Sequence, residues 1–280
     1  MNKTIIKDRV FDWGSKTYIM GIINITPDSF SGDGELDLHS AVDQAKNFEL
    51  LGADIIDVGG ESTRPSSLYH DSKPVSIEQE LTRVIPVIKA ITKEIGLPVS
   101  IDTYKSQVAL EALSAGASMI NDVWGFKADF QMSSVVAHAG VPVVIMHNQK
   151  NTEYDDLVPD VISSLEKLKY EAINKGVNPG NIILDPGIGF GKTPEQNLQI
   201  LRRLEEFTTL GQPILIGTSR KSTIGLVLNL PVGDRIEGTA ATVALSIASG
   251  ADIVRVHDVK EMIRVARMSD AIIRGWEQTR

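Results

Sequence analysis

Residues 182–207, IILDPGIGFGKTPEQNLQILRRLEEF, contain one complete structural unit of the chain. Three aliphatic residues lead into Asp185, a glycine-rich turn follows, and TPEQNLQILRRLEEF has apolar residues at spacings of three and four. The first part predicts a strand and the last part predicts an amphipathic helix. A carboxylate at the last step of such a strand either caps the following helix or serves a bound ligand.

The same unit, a short β-branched run followed by a turn and a helical segment, recurs along the chain. Strands are predicted at residues 18–26, 55–60, 99–103, 119–125, 143–147, 182–185, 214–219 and 253–258. Eight such units favour an α/β fold of the (β/α)8 TIM barrel type over an open doubly wound sheet. The preceding segment KTIIKDRVFDWGSK predicts an N-terminal β-hairpin that closes the bottom of the barrel.

The composition narrows the class of protein. The 280 residues are 42% hydrophobic, contain no cysteine and carry a formal charge of -8. No apolar run reaches the roughly 18 residues that a membrane span needs, and no disulfide framework is possible. The acidic balance disfavours nucleic acid but allows a small anionic ligand held by a local group of cations. We therefore expect a cytoplasmic protein with small-molecule partners.

Each predicted strand ends in polar or charged residues. In chain order they are Asn24, Asp57, Asp102, Asn121, Asp122, His147, Asp185, Ser219, Arg255 and His257. In a barrel these ends meet at the C-terminal rim, where barrel enzymes place their active sites. One such residue alone is more often a turn former or a helix cap. The whole set together favours a single polar pocket.

Cations in the last third of the chain indicate an anion site. Arg255 and His257 are two residues apart on one strand, so their side chains face the same way. The stretch GTSRKSTIG adds Arg220 and Lys221 just before a predicted helix, although a serine-rich helix start is weak evidence for a ligand. Two loop-like segments, 26–37 and 59–74, follow strands and are predicted to lie over the pocket mouth.

Seven blocks in order make the chain similar to a known family. They read GIINITPDSFS, DVGGESTRP, SIDTYK, INDV, ILDPGIGFGKT, GTSRKS and RVHDV. The chain resembles the dihydropteroate synthase family of folate biosynthesis. The resemblance implies one pterin-binding barrel domain over residues 1–280, usually a homodimer. It implies an alkyl transfer that joins 6-hydroxymethyl-7,8-dihydropterin diphosphate to 4-aminobenzoate, giving 7,8-dihydropteroate and pyrophosphate, with Mg²⁺ present.

The resemblance also implies roles for individual residues. The pterin would contact Asp102, Asn121, Asp185 and Lys221. The diphosphate would contact Asn24, Thr63, Arg64, Arg255 and His257, with Asn24 also a ligand of the metal. The 4-aminobenzoate would contact Thr63, Pro65, Phe190, Arg220, Lys221 and Ser222. Asn24, Lys221, Arg255 and His257 would be catalytic. One departure is SFSGDG in the first loop, which moves the acidic residue to Asp33.

These residue types suit that reaction. A carboxylate such as Asp185 can accept both the amino group and the adjacent ring N–H of a pterin. The dihydropterin ring can delocalise positive charge at its methylene, so we expect the diphosphate to leave ahead of amine attack, in an SN1-like step. Together with Phe30, Thr63 and Pro65, the intact GTSRKS stretch predicts that sulfonamides compete with 4-aminobenzoate.

Three other functions are compatible with parts of the pattern. A pterin-binding methyltransferase domain that uses methyl-tetrahydrofolate shares the barrel and the acids, but needs neither the STRP loop nor the R-x-H pair. A catalytically silent pterin-binding barrel would not need Asn24, Lys221, Arg255 and His257. A phosphate-binding barrel aldolase usually carries its lysine within a strand, whereas Lys221 follows one. All three are less favoured than the synthase.

Overall fold

The computed structural model describes residues 3–25, 34–61 and 75–276. The strands in these ranges are β1 (Lys3–Ile6), β2 (Arg9–Asp12), β3 (Tyr18–Asn24), β4 (Ile55–Gly59), β5 (Val99–Asp102), β6 (Met119–Asp122), β7 (Val143–Met146), β8 (Ile182–Asp185), β9 (Leu215–Ile216) and β10 (Ile253–Val256). The helices are α1 (Gly34–Leu51), α2 (Ile77–Glu94), α3 (Ser106–Ser114), α4 (Met132–Ala139), α5 (Leu157–Asn174), α6 (Pro194–Arg202), α7 (Ser222–Leu228), α8 (Ile236–Ala248) and α9 (Val259–Ile273).

Strands β3 to β10 form one parallel sheet that curls into a barrel. Its order is β8-β7-β6-β5-β4-β3-β10-β9, and every neighbouring pair of strands is parallel. The two edges meet where Leu184 pairs with Ile214 and where the Leu184 N–H donates to the Pro213 carbonyl at 2.9 Å. The predicted TIM barrel is therefore confirmed, with each of its eight strands inside a predicted segment.

The barrel interior changes from apolar to polar along the strands. At the N-terminal end, ten buried apolar residues pack together, including Met20, Ile55, Met119 and Ile183 from the strands. Because alternate residues of a strand face the same side, the inward residue two positions after Ile183 is Asp185. The same step leads from Ile55 to Asp57. The strand sequences thus build an apolar floor beneath a polar rim.

The N-terminal hairpin covers the apolar floor, as predicted. Strands β1 and β2 pair antiparallel, and their residues Ile6 and Phe11 belong to the barrel-interior cluster. The Phe11 and Tyr18 rings lie 4.7 Å apart between centroids, and Thr4 Oγ1 donates to the Gly180 carbonyl at 2.6 Å. The hairpin therefore closes the end of the barrel opposite the polar rim.

The helices cover the outside of the sheet, where a second and larger apolar cluster lies between the two layers. Capping boxes begin two of them: Ser76 with Gln79 on α2, and Thr193 with Gln196 on α6. Helix α1 begins at Gly34, so the first predicted loop ends earlier than expected, because good helix formers follow that glycine. No helix in the described ranges is both long and apolar enough to span a membrane.

Candidate active site

The strand register brings side chains from distant parts of the chain into one layer at the rim. Asn24 of β3 pairs with Gly59 of β4, Gly59 pairs with Asp102 of β5, and Asp102 pairs with Asn121 of β6. A Cβ atom on Gly59 would lie 3.6 Å from Asp102 Oδ2 and 3.8 Å from Asn24 Oδ1. The glycine therefore leaves space between two polar side chains.

A buried ion-pair network lies below this layer. Arg255 Nε donates to Asp57 Oδ2 at 2.6 Å, and Arg255 Nη2 donates to Asp102 Oδ2 at 2.7 Å. Asn121 Nδ2 also donates to Asp57 Oδ2, at 3.0 Å. Asp57 is fully buried, whereas the Arg255 side chain keeps 20% of its surface exposed. The carboxylates thus hold the guanidinium at the rim while solvent or a ligand can still reach it.

The network has unused capacity for a ligand. The Oδ1 atoms of Asp57 and Asp102 are buried and accept no hydrogen bond from the residues that the structure describes. Burial raises the pKa of Asp102 to about 7, against the opposing effect of the Arg255 guanidinium and with a further increase from Asp57. Because buried acceptors without partners cost free energy, a ligand that donates N–H groups here would be favoured.

Asp185 lies at the end of β8 in the same rim. Its Oδ1 accepts from the Gly187 N–H at 2.7 Å, which is the Asx-turn contact that a strand-end Asp often makes. Burial raises the pKa of Asp185, while the bond from Gly187 and the charge of Lys221 oppose the increase. Gly187 has φ +75°, and a Cβ there would lie 2.0 Å from the His147 carbonyl oxygen. Only glycine fits this turn.

Lys221 contacts the same loop from the other side. Its Nζ donates to the Ile188 carbonyl at 2.6 Å and lies 4.3 Å from the centroid of the Phe190 ring. A Cβ on Gly189 would lie 3.1 Å from Lys221 Cδ, so the glycine makes room for the lysine. Lys221 and Phe190, which sequence analysis assigned to substrates, are therefore in direct contact with each other.

The remaining basic residues of the rim follow β10 or lie in the turn before α7. Ser219 Oγ lies 3.0 Å from His257 Nδ1, and the His257 N–H donates to Ser219 Oγ at 3.2 Å. Arg220 forms a two-point ion pair with Asp258. Ser222 is the first residue of α7. All of these predicted residues therefore lie on the C-terminal side of β9 and β10.

A buried pair that the sequence did not predict joins the β8–α6 turn to the end of β7. Lys192 Nζ lies 2.9 Å from His147 Nδ1 and donates to the carbonyls of Gly187 and Phe190 at 3.1 and 3.0 Å. Burial lowers the pKa of Lys192 to about 7 and that of His147 to about 2, so the imidazole is neutral. The sequence signals were His147 at the end of a predicted strand and a lysine within a run of turn glycines.

Other residues singled out from the sequence have structural roles or lie outside the described chain. Asp122 caps its own turn, since its carboxylate accepts from the N–H groups of Trp124 and Phe126 at 2.9 and 2.7 Å. Asp57 accepts hydrogen bonds from both Arg255 and Asn121, although the sequence indicated no specific role for it. Five residues singled out from the sequence lie outside the described residues: Phe30, Asp33, Thr63, Arg64 and Pro65.

The residues present fit only a weakly held magnesium ion. Within the described ranges there is no group of three or more His, Cys, Asp or Glu residues that could hold a metal. Mg²⁺ accepts one or two protein oxygens and keeps water or phosphate oxygens as its other ligands. Asn24 Oδ1 at the rim can supply one such oxygen.

The fold and the rim together define a TIM-barrel enzyme with a polar ligand site. The family model described as "Pterin binding enzyme" matches residues 20–257. The dihydropteroate synthase of Clostridium beijerinckii is 54% identical over 271 residues, which are 96% of this chain and 99% of the relative. That of Bacillus subtilis is 53% identical over 268 residues, 95% of this chain and 92% of the relative.

Solved structures give the same result. A Clostridium difficile dihydropteroate synthase crystallised with pteroic acid has 52% identity and a TM-score of 0.87, covering 94% of this chain and 99% of its own. A Xanthomonas albilineans enzyme with 4-aminobenzoic acid has 36% identity and a TM-score of 0.89, covering 96% and 97%. A Yersinia pestis enzyme in a sulfonamide complex has 36% identity and a TM-score of 0.89, and the match covers 96% of this chain and 98% of its own. The chain belongs to the dihydropteroate synthase family of pterin-binding enzymes.

Proposed function

We propose that this chain condenses 6-hydroxymethyl-7,8-dihydropterin diphosphate with 4-aminobenzoate to give 7,8-dihydropteroate and pyrophosphate. The observation that carries the proposal is the rim itself, where Asp102, Asn121 and Asp185 lie on the same barrel opening as Arg255. Relatives of high identity bear the synthase name, and solved relatives were determined in the presence of pteroic acid or with 4-aminobenzoic acid.

The acids and the amide of the rim suit the pterin ring. The Asp185 carboxylate can accept from the exocyclic amino group and the adjacent ring N–H, since an ionised carboxylate has about four acceptor positions. Asn121 keeps its side-chain oxygen for a donor of the ring while its Nδ2 group is bound to Asp57. The Oδ1 atom of Asp102, which accepts no hydrogen bond from the described residues, provides another acceptor. A ligand without these N–H groups would leave buried acceptors unpaired and bind less well.

The diphosphate belongs next to the cations. Arg255 uses two of its N–H donors on Asp57 and Asp102, and a guanidinium has five. The remaining donors can bind phosphate oxygens, with His257 two residues further along, just after the end of β10. Such charge-assisted hydrogen bonds stabilise the negative charge that develops on the leaving group.

Magnesium would be held by Asn24 Oδ1 together with diphosphate oxygens and water. When bound, it would neutralise part of the charge on the departing pyrophosphate. The identity of the metal and the role of Asn24 are part of the proposal.

The bond that breaks joins the pterin methylene to a diphosphate oxygen, and the electron pair leaves with pyrophosphate. The bond that forms joins the same carbon to the amine nitrogen, which then loses a proton to solvent. A 4-aminobenzoate amine is neutral and nucleophilic at physiological pH, so the rim needs no strong base. We propose that departure precedes attack, because the dihydropterin ring delocalises the developing positive charge.

The nucleophile would lie between the turn 218–222 and Phe190. Lys221 stands over the Phe190 ring, and Arg220 and Ser222 flank it in sequence. We propose that sulfonamides, which mimic 4-aminobenzoate, bind in the same place. Thr63 and Pro65 would complete the subsite.

A product assay tests the proposed function. The purified chain receives the pterin diphosphate, 4-aminobenzoate and Mg²⁺, and dihydropteroate and pyrophosphate are quantified separately. The proposal requires both products in equal amounts. Folded protein that forms neither product would refute it.

We also propose that the chain forms a homodimer. Large apolar side chains are exposed on α7 and α8, among them Leu226 (63%), Val227 (60%) and Leu245 (64%). Adjacent exposed apolar residues are typical of protein interaction surfaces. Light scattering that gives the mass of one chain at micromolar concentration would contradict the dimer. The cytoplasmic location stays a prediction.

A further inference from the structure

Arg235 joins the two ends of the short helix α7. Its Nη1 donates to the Arg220 carbonyl at 3.0 Å, just before the helix. Its Nε and Nη2 both donate to the Leu230 carbonyl at 3.2 Å, just after the helix. Arg235 itself precedes α8, so one side chain ties both ends of α7 to the start of α8.

Gly225 makes this contact possible. A Cβ atom at position 225 would lie 2.2 Å from Arg235 Nη2 and 2.4 Å from Cζ. The guanidinium therefore lies against the helix backbone, in the space that any other side chain would fill. The glycine and the arginine form one unit, although they are ten positions apart in the sequence.

Helix α7 and the turn before it need external support. Seven residues are too few for an independent helix, because nucleation is costly and few hydrogen bonds follow it. Arg220 has φ +56°, which is unfavourable for a residue with a side chain. The conformation is held from three directions: Arg235 binds the Arg220 carbonyl, Thr239 Oγ1 accepts from the Arg220 N–H at 3.1 Å, and Asp258 pairs with the Arg220 side chain.

We propose that Arg235 is a positioning residue that fixes the turn 218–222 for the carboxylate-bearing aromatic amine. This rests on the proposed function, because Arg220 and Ser222 belong to the subsite proposed for 4-aminobenzoate. Arg235 acts through the backbone of that turn and through the orientation of α7. Without the Arg235 guanidinium, the carbonyls of Arg220 and Leu230 lose their shared donor, and the unfavourable backbone conformation of Arg220 loses one of its supports.

Loss of the Arg235 contacts should weaken binding of 4-aminobenzoate more than binding of the pterin. The Lys221 side chain is held independently of Arg235, by the Ile188 carbonyl and the Phe190 ring. Asp185 and Asn121 lie on strands that do not contact Arg235 through any hydrogen bond within the described chain. The contribution of these groups to pterin binding should therefore persist when the turn shifts.

The test uses four variants and two controls. Arg235→Ala removes the donor, Arg235→Lys keeps the charge but not the forked geometry, and Gly225→Ala displaces the guanidinium. The double variant Gly225→Ala/Arg235→Ala removes the three atoms that would lie nearest to the added methyl. The controls are Arg264→Ala, an exposed arginine on α9, and Gly233→Ala, where a Cβ meets no atom within 4 Å.

The readouts are KM for 4-aminobenzoate, the inhibition constant of a sulfonamide, and the pterin dissociation constant by calorimetry. Arg235→Ala and Gly225→Ala should each raise KM for 4-aminobenzoate and the sulfonamide inhibition constant about tenfold. The pterin dissociation constant should change less than about twofold. Arg235→Lys should fall between wild type and Arg235→Ala. The double variant should lose no more than Arg235→Ala alone, because both substitutions remove one interaction.

Other outcomes overturn the proposal. If KM is unchanged and only the melting temperature falls, Arg235 has a purely structural role. If pterin affinity falls as much as amine affinity, or if the double variant shows additive losses, the assignment is wrong. If Arg235→Ala does not fold, Gly225→Ala and Arg235→Lys decide. A wild type that forms no dihydropteroate refutes the proposed function, whereas an active wild type with unaffected variants refutes only the role of Arg235.

Discussion

Arg255 Nε lies 2.6 Å from Asp57 Oδ2, across 198 positions of sequence and inside the barrel. The same guanidinium binds Asp102, so two acids share one cation. This arrangement directs a partly buried arginine at the rim, and burial raises the pKa of Asp102 beside it. Both consequences can be measured.

Replacing Arg255 tests its part in leaving-group departure. Arg255→Ala should lower turnover about 100-fold, because it removes donors that stabilise the departing diphosphate. It should also lower the free energy of unfolding by about 3 kcal/mol, because it leaves the Asp57 and Asp102 carboxylates buried without their cation. Steady-state kinetics and urea denaturation measure the two effects, with Arg264→Ala as the control. Near-normal turnover would place the diphosphate site elsewhere.

Asp102 should make the ligand-free protein less stable as pH rises. Its pKa is raised from 3.8 to about 7, so the native state binds more protons than the unfolded state between those values. The stability contributed by Asp102 is therefore present below about pH 4 and is lost as pH rises towards 7. Relative to wild type, Asp102→Asn should gain free energy of unfolding between pH 5 and pH 8.

Urea denaturation at both pH values checks this prediction. The exposed Asp234→Asn serves as the matched control and should show no relative gain. Parallel pH profiles for Asp102→Asn and wild type would show that Asp102 is ionised over the whole range.

Sulfonamides should compete with 4-aminobenzoate. The Lys221 and Phe190 contact and the adjacent turn form the proposed site for both molecules. Raising the concentration of 4-aminobenzoate should abolish inhibition and leave the maximal rate unchanged. Initial-rate measurements at several inhibitor concentrations decide the matter, and a lowered maximal rate at saturating 4-aminobenzoate would refute a shared site.

The timing of bond cleavage can be tested by omitting the amine. If departure precedes attack, the enzyme with pterin diphosphate and Mg²⁺ should slowly release pyrophosphate and 6-hydroxymethyl-dihydropterin, because water captures the cation. Pyrophosphate release is followed in the presence and absence of 4-aminobenzoate, with Arg255→Ala as the control for background hydrolysis. Strict dependence on the amine would support a concerted displacement.

Strand and helix order could be predicted from the sequence because each unit carries its own pattern. The run IILD before a glycine turn specifies a buried strand whose last residue is polar, and eight such units leave few architectures. The hairpin plug was predictable for the same reason. Local pattern and global fold agree in these segments.

Partners within the site were harder to predict. The facing direction of Arg255 follows from its strand, but its pairing with Asp57 depends on the register of the closed barrel. The sequence around Lys192 predicts an ordinary turn, and its contact with His147 forms only when the loop is folded. Arg235 precedes a helix and looks like an ordinary surface charge until Gly225 is seen beneath it. The sequence pattern predicts on which side of its strand a side chain lies, whereas the side chain that it contacts across the barrel depends on the fold.

Pterin binding to wild type and to Asp185→Asn, measured by isothermal calorimetry, tests the central claim most directly. The claim is that acids at the barrel rim bind the pterin edge. The substitution keeps the shape and removes the charge-assisted acceptor, so the dissociation constant should rise about 10- to 100-fold. Asp234→Asn should bind like wild type. Equal affinity of Asp185→Asn and wild type would contradict the account.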